Sequence, residues 1–361
     1  ITQSGGLFVD WLSVWQVHPE HAPLNSGAIV TLDGSGSPVF HKTRTARLSG
    51  SHATSCAFKS DGRTVVASGN FGRFNRSDNL FNFDPYETLS RCNTCAAFVG
   101  LPLFSSGVQL HEHLRGEVLD DYGWGDSVYW SGIGGVAPDY KQLPEEEQYP
   151  HLSRVDLTKN YSCGSVAAAR SVIRSISGKT VSRVKKGVAG DASVWWANTR
   201  YMVKVYIKAL EMEAHGCTTG RAYEYARDNG IIRLELELKR RELDSLGWSN
   251  FNAFLGAWDM GKVHKLFADY EKLLDCVSVK SDAEFLDKLP SRLRVTAAAF
   301  LSGRDVSSMM SRTTFYRYRK ALLDYGIDIA DERPAMINTA VRTIEVQAVS
   351  PPDWYLKEMA A

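Results

Sequence analysis

The sequence predicts an α+β fold, an antiparallel sheet with covering helices followed by a mainly helical C-terminal region. Three observations carry that expectation. Short runs of β-branched and aromatic residues alternate at period two through the first two thirds of the chain. Gly, Ser and Asp-Gly turns separate neighbouring runs, as in hairpins. From about Leu243 onward the apolar spacing becomes helical. With 361 residues and 44% hydrophobic composition the chain can bury a full core and is long enough for two domains.

The opening GLFVDWLSVWQ alternates aromatic and aliphatic residues and reads as a strand, with Asp10 inside it. TRTARLSGSHATSCAFKSDGRTVVASGNFGRF breaks into short β-prone runs at its turns, the signature of antiparallel hairpins. YETLSRCNTCAAFVGL has helical spacing, as has SVAAARSVIRSISG, whose Val166, Ala169, Ile173 and Ile176 share one face. Between these two, the acidic, Gly-rich stretch from Gly116 to Glu147 is expected as a hairpin or long loop. HLSRVDLTKNY and MVKVYIK are strands by β-branched content, and GIIRLELELKRREL begins as a strand and turns helical near Lys239. The segments SNFNAFLGAWDMGKVHKLFADYEKLL, DAEFLDKLP, RLRVTAAAFLSG and TTFYRYRKALLDYGI are helical, so the domain boundary is expected between residues 255 and 256.

No run of about 18 apolar residues is present, and the N-terminus lacks a basic flank followed by an apolar segment, so neither a membrane span nor a signal peptide is expected. Cytosolic residence follows, and the six scattered cysteines are expected as reduced thiols. Cys92 and Cys95 in CNTC have two readings: helix packing, or half of a zinc tetrahedron completed by His111 and His113 of HEH. Net charge is only +1, but its distribution is uneven. Residues 111–148 hold nine acids against two bases, a surface that should avoid phosphate. Residues 170–188, including Lys185 and Lys186, hold six bases and no acid, and residues 291–320 hold seven bases against Asp305. Those two stretches are the candidate phosphate-facing surfaces.

The chemistry concentrates in three predicted strands. In MVKVYIK, Lys204, Tyr206 and Lys208 would share one strand face and Val203, Val205 and Ile207 the other. Two ammonium groups beside a phenol favour the phenolate and attract a phosphodiester, which makes Tyr206 a candidate nucleophile. The alternative is a Lys-Tyr-Lys run on the solvated face of an edge strand. In LSRVDLT, Asp156 lies beside Arg154, and in IRLELELK, Arg233, Glu235 and Glu237 alternate with Leu234, Leu236 and Leu238. Carboxylates within apolar strands are costly unless paired or metal-bound, so either Arg–carboxylate bridges or hard-oxygen sites for Mg²⁺ (or Mn²⁺) fit.

The ordered set LSRVDLT, VYIKALE, IRLELELKRREL, SRTTFYRYRKALLDYGI and PPDWY resembles the gene II family of filamentous-phage replication initiation proteins. It is more distantly similar to plasmid rolling-circle initiators, whose motifs read Arg-x-Asp, Tyr-x-Lys and Arg-x-Glu. The resemblance covers most of residues 150–355 and, more weakly, the strand holding Asp10. It implies a rolling-circle nuclease-like core in residues 1–255 and a site-specific nickase and strand transferase in the cytoplasm of the bacterial host. Its substrate would be phage origin DNA, supercoiled duplex and single strand, with host helicase and polymerase as partners and no membrane. Tyr206 would form a 5′-phosphotyrosine and free a 3′-hydroxyl. Lys208 and Glu211 match the family motif, with Lys204 as a further catalytic candidate; Asp156 and Glu235 fall on its acidic positions, and Arg154 and Arg233 on its arginines. A metal role for Asp156, Glu235 and Asp10 is inferred from oxygen-ligand chemistry. HEH departs from the His-hydrophobe-His pair of many rolling-circle nucleases. Tyr201, five residues before Tyr206, would face the opposite side of a strand, so a single nucleophile is expected. A non-catalytic origin-binding or repressor protein is the alternative function, and a metal-activated hydrolase that leaves no covalent adduct is a third.

Residues 256–361 are expected as a helical DNA-binding region with a helix-turn-helix: RLRVTAAAFL, a turn at Gly303, and a second helix capped by Ser311. Arg312, Thr314, Arg317 and Lys320 on that second helix would meet phosphates and base edges.

Overall fold

The computed structural model describes residues 6–19, 21–24, 27–104, 143–144, 147–179, 184–274, 278–279, 286, 289–301, 304–323, 325, 327–330, 342–344 and 346–360. Strands form as expected at β1 (Phe8–Val17) and, after an unanticipated hairpin of β2 (Ala28–Leu32) and β3 (Pro38–Thr43), at β4 (Ala46–Ser49), β5 (Ser55–Ser60) and β6 (Thr64–Gly69). Helix α1 (Pro85–Phe98) follows, capped by Asp84, whose side chain accepts from the Glu87 amide, with Pro85 in the first turn. Then come β7 (His151–Ser162), α2 (Val166–Ser177), β8 (Lys185–Ala189), β9 (Ser193–Ala197), β10 (Tyr201–Ile207), α3 (Lys208–Ala214), α4 (Arg221–Asp228) and β11 (Ile231–Lys239). The remaining elements are α5 (Arg240–Leu246), α6 (Phe251–Asp259), α7 (Lys262–Glu271), β12 (Ser278–Val279), α8 (Ser291–Leu301), α9 (Arg312–Leu323), β13 (Arg342–Thr343), β14 (Gln347–Ala348) and α10 (Asp353–Ala360).

One antiparallel sheet runs in the order β4-β5-β6-β1-β7-β11-β10-β9-β8, and β14 adds to β7 where β1 has ended. The fold is therefore mixed, as expected, with helices covering a large antiparallel sheet. Its two faces differ. Leu12, Val14, Leu157, Leu234, Leu236, Val203 and Val205 point to one side and join α1, α2, α6 and α7 in the main core. Burial of these side chains, each worth about 1.5–3 kcal/mol, fixes the register, because a one-residue slip would turn every one of them outward. The opposite face carries the polar positions of the same strands, and at one end it is sealed by a second core of Phe8, Leu80, Phe81, Ala209, Met212 and Tyr355.

Two expectations about organisation meet the structure differently. Position 255 falls inside α6, whose Phe251, Phe254 and Trp258 lie in the main core together with Phe267 of α7, and the chain returns to the sheet at β14 and α10. Between them, α8 and α9 share a separate small core built on Leu293, Ala297, Phe300 and Leu322. Ten residues join these two helices, against the three or four of a tight helix-turn-helix turn. Gly303, HEH and nearly all of the acidic Gly116–Glu147 stretch lie outside the described residues. Cys92 and Cys95 are buried on α1 against Cys56 of β5, the helix-packing reading of CNTC.

Candidate active site

Alternation places Tyr206 and Lys204 of β10, Arg233, Glu235 and Glu237 of β11, and Asp156 and Arg154 of β7 on the polar face, in facing registers: Tyr206 opposite Arg233, Lys204 opposite Glu235, Glu237 opposite Asp156. Asp10 joins them because β1 bulges there. Val9 pairs with Leu157 and Trp11 with Asp156, so Asp10 is the extra residue, and a bulge re-aims a side chain in this way. The fold thus brings together the residues singled out in the three strands and in β1.

Tyr206 is buried, and its hydroxyl donates to Glu235 Oε1 at 2.6 Å. Strand β10 lies between β9 and β11, so the edge-strand alternative does not apply. The expected phenolate is also corrected. Burial pushes the Tyr206 phenol well above its ordinary value; Arg233 opposes this, while Glu235, Glu211 and Asp10 add to it. Lys204 stacks its ammonium over the Tyr206 ring, 4.3 Å from the centroid, rather than beside the hydroxyl. Lys208 is not a strand residue: β10 ends at Ile207, and Lys208 opens α3. Its buried ammonium nevertheless reaches the site, donating to Asn79 Oδ1 at 2.8 Å and Glu211 Oε2 at 2.7 Å. Burial lowers the Lys208 pKa, Arg233 lowers it further, and Glu211 resists. Burial alone would raise Glu211, yet Lys208 holds it below the usual carboxylate range.

Two charge clusters share the face. In the first, Arg154 grips Asp156 with two bonds of 2.8 and 2.6 Å and reaches Glu237 at 3.2 Å. That is the Arg–carboxylate bridge weighed from the sequence. Burial still pushes Asp156 up to about 7, against the pull of Arg154. In the second, Arg233 is fully buried and donates to Asn160 Oδ1 (2.9 Å), Asn79 O (2.5 Å) and Leu80 O (2.7 Å), with Asp10 at 3.6 Å. The expectation that Arg233 contacts DNA is therefore corrected, since its guanidinium is enclosed and committed to the protein. Burial and the nearby Asp10 raise Glu235, which no Lys or Arg meets in an ion pair among the described residues.

Sequence reasoning missed an asparagine cradle. Asn70, Asn79 and Asn82 from the segment after β6 all donate to Asp10, at 2.9, 3.1 and 3.3 Å. The sign was the density of asparagines in NFGRFNRSDNLFN, but only the fold brings three of them to β1. The DNA-binding candidates outside the face lie elsewhere. Lys185 and Lys186 are exposed on β8, the edge strand, and Lys186 donates to Ser177 O. Arg312, Arg317 and Lys320 are exposed on α9 and Thr314 is half-buried. Ser311 caps that helix as expected, its Oγ accepting from the Thr314 amide at 3.3 Å.

Among the described residues, no group of three or more His, Cys, Asp or Glu side chains is arranged to hold a metal ion. Asp10 and Glu235 nonetheless offer hard oxygens in close electrostatic contact, with no Lys or Arg in an ion pair with Glu235 among the described residues, and Mg²⁺ is commonly held by one or two carboxylates with water and a phosphate completing the shell. Asp156 fits less well, because Arg154 occupies both of its oxygens. No described helix is long and apolar enough to cross a membrane.

Comparison with known proteins relates the chain to phage replication-associated proteins. Residues 125–258 match the family model for the N-terminal part of the phage replication-associated protein of gene II, a span that holds Asp156, Tyr206, Lys208, Glu211 and Glu235. Residues 287–360 match the model for the C-terminal part of the same replication-associated protein, spanning α8, α9 and α10. A curated relative, the replication-associated protein of this kind from Enterobacteria phage I2-2, is 24% identical over 374 aligned positions, covering 96% of each chain.

Proposed function

The chain belongs to the gene II family of filamentous-phage replication-associated proteins, which act in the initiation of phage replication, and we propose that it does so as a tyrosine nickase and strand transferase on origin DNA. One observation carries the reading: a phenol held 2.6 Å from a carboxylate that no Lys or Arg meets in an ion pair among the described residues, on a sheet face that also holds Lys208 and Asp10. Tyr206 Oη forms the bond to phosphorus, the P–O3′ bond breaks, and the products are a 5′-phosphotyrosine and a 3′-hydroxyl. Glu235 is the group positioned to accept the phenol proton, and the leaving 3′-oxygen takes up a proton as it departs. Because burial holds the phenol neutral, a nearby acceptor matters more than a lowered pKa. Asp10 and Glu235 would hold Mg²⁺, which when bound supplies Lewis-acid polarisation of the phosphate. Lys208, fixed by Asn79 and Glu211, contributes positive charge toward the same face. The exposed bases of α9 would meet the duplex away from the reacting strand.

The test is incubation with supercoiled origin DNA and Mg²⁺, followed by denaturing electrophoresis. Wild-type protein should yield nicked circles and a covalent protein–DNA adduct, and Tyr206→Phe should bind origin DNA normally yet form neither. Glu235→Ala and Asp10→Ala should lose Mg²⁺-dependent cleavage, with Asp156→Ala less affected. Cleavage without an adduct, or wild-type rates in Tyr206→Phe, would mark a water-using phosphodiesterase instead.

A further inference from the structure

The C-terminal helix α10 belongs to the segment matched by the C-terminal family model, yet its central side chain is buried against the other end of the chain. Tyr355 is enclosed, its ring 5.2 Å from that of Phe81, and its hydroxyl makes four contacts within one segment, the longest of them to Phe81 O at 3.3 Å. It donates to Asp78 Oδ1 at 2.5 Å and accepts from Arg76 Nη2 at 2.7 Å and from the Phe81 amide at 3.1 Å. A single phenol thus ties together both sides of the turn at residues 76–81.

That turn supports the site. Asn79 donates to Asp10 and accepts from Lys208, and the backbone carbonyls of Asn79 and Leu80 receive the Arg233 guanidinium. β14 reinforces the connection: Val349 N donates to Asn160 O, and the Asn160 side chain bridges Arg233 and Leu80 O. The contacts that lead from α10 toward Tyr206 thus run through groups whose other bonds end on Asp10, Lys208 or Arg233.

We infer that Tyr355 is a positioning residue for strand cleavage: the C-terminal helix clamps the Asp78–Phe81 turn through the Tyr355 hydroxyl and so sets the asparagine cradle that orients Asp10 and Lys208 around Tyr206. A carboxylate oriented by asparagine side chains from a loop needs such a support, since a displacement of about 1 Å in a reacting constellation costs on the order of 100-fold in rate. Tyr355 has no hydrogen bond to Tyr206, Asp10 or Glu235, so its effect passes through Asn79.

The inference rests on the reading of Tyr206 as nucleophile, and the experiment separates the two. Full-length Tyr355→Phe keeps the ring and loses only the hydroxyl. Against supercoiled origin DNA with saturating Mg²⁺, it should cut at least ~10-fold more slowly in single turnover while binding the same DNA within about twofold of wild type. Backbone amides at residues 78–82 should exchange with deuterium faster. Asp78→Asn retains an acceptor oxygen and should restore most of the rate lost by variants that remove it, such as Asp78→Ala. Met359→Ala, which trims the same apolar cluster without touching the turn, serves as the comparison for general loosening of α10. If Tyr355→Phe cuts at the wild-type rate, or if Met359→Ala slows cutting as much at equal melting temperature, the clamp is overturned. Should wild-type protein fail to cut, the nickase reading falls on its own; the clamp is then decided by exchange at residues 78–82, and unchanged protection in Tyr355→Phe overturns it.

Discussion

Replacing Arg233 by methionine tests the structural account of the site most directly. The side chain is completely buried and makes three hydrogen bonds, to Asn160 Oδ1, Asn79 O and Leu80 O, besides facing Asp10 at 3.6 Å. Hydrogen bonds with a charged partner contribute about 1.5–3 kcal/mol each, so the gross loss is roughly 5–9 kcal/mol. Part of it returns, because a methionine of similar length fills the space without the desolvation cost of a guanidinium, and Leu80 O keeps its bond from Asn160 Nδ2. Breaking a buried pair by removing one partner typically costs about 3–5 kcal/mol, and that is the expected net value. Urea denaturation at neutral pH measures it, with a fall in thermal midpoint of roughly 5–15 °C as a second readout. The double variant Arg233→Met with Asp10→Asn should be less unstable than the sum of the singles by about 1 kcal/mol, because the uncompensated carboxylate has gone as well. A loss below about 1 kcal/mol for Arg233→Met would refute the reasoning, and would mean that this guanidinium is replaceable and free to serve DNA.

Two further outcomes follow from particular side chains. Burial, with His21 adding to it, holds His18 down at about 3, whereas an unfolded histidine titrates near ~6.5; between those values the unfolded chain binds the extra proton, so stability is intact above about pH 6.5 and falls as pH drops. Wild type should therefore lose about 2 kcal/mol more than His18→Gln between about pH 7 and pH 5, and parallel losses in the two proteins would count against it. Arg317, exposed on α9, should act as a phosphate contact: Arg317→Ala should weaken all duplexes about equally and reduce the salt slope of binding by about one, and an unchanged slope would move the DNA surface elsewhere, most directly to β8 with Lys185 and Lys186.

Much of the site could be read from the chain because strand alternation is a strict geometric rule. Given β7, β10 and β11, the facing of Asp156, Lys204, Tyr206, Arg233, Glu235 and Glu237 to one side follows from the period of two and from the leucines and valines between them. What alternation cannot supply is the position of a strand within its sheet. An isolated Lys-Tyr-Lys run looks solvated, but β10 is an interior strand, and the cover sealing one end of the polar face draws on residues more than a hundred positions away, including Leu80 and Tyr355. Burial of Tyr206 and the raised pKa of its phenol are consequences of that long-range cover. The bulge at Asp10 and the helical start at Lys208 escaped for a related reason: each is a single-residue departure from a regular period, and a one-residue change decides which way a side chain points.

The polar face also shows why its charges are tolerable inside a folded core. Arg154 is shared by Asp156 and Glu237, Lys208 is matched by Glu211, and Arg233 stands against Asp10, so each of these cations answers at least one acid. Glu235 is the remainder. Its direct partner is a neutral hydroxyl, burial and Asp10 both push its pKa up, and Arg233 and, more weakly, Lys204 oppose them without an ion pair, Lys204 having turned its ammonium over the Tyr206 ring. An arrangement selected only for stability would replace such a group with an apolar side chain of similar volume, since leucines fill the alternate positions of the same strand and a partly satisfied buried network is costlier than an apolar one. A carboxylate kept in that state, 2.6 Å from a phenol oxygen, retains two capacities that leucine lacks: it can accept the phenol's proton and it can bind a cation. Both would serve the proposed attack of Tyr206 on a phosphodiester, and neither is needed to hold β10 to β11, which the backbone ladder from Tyr201–Leu238 to Ile207–Ile232 already does.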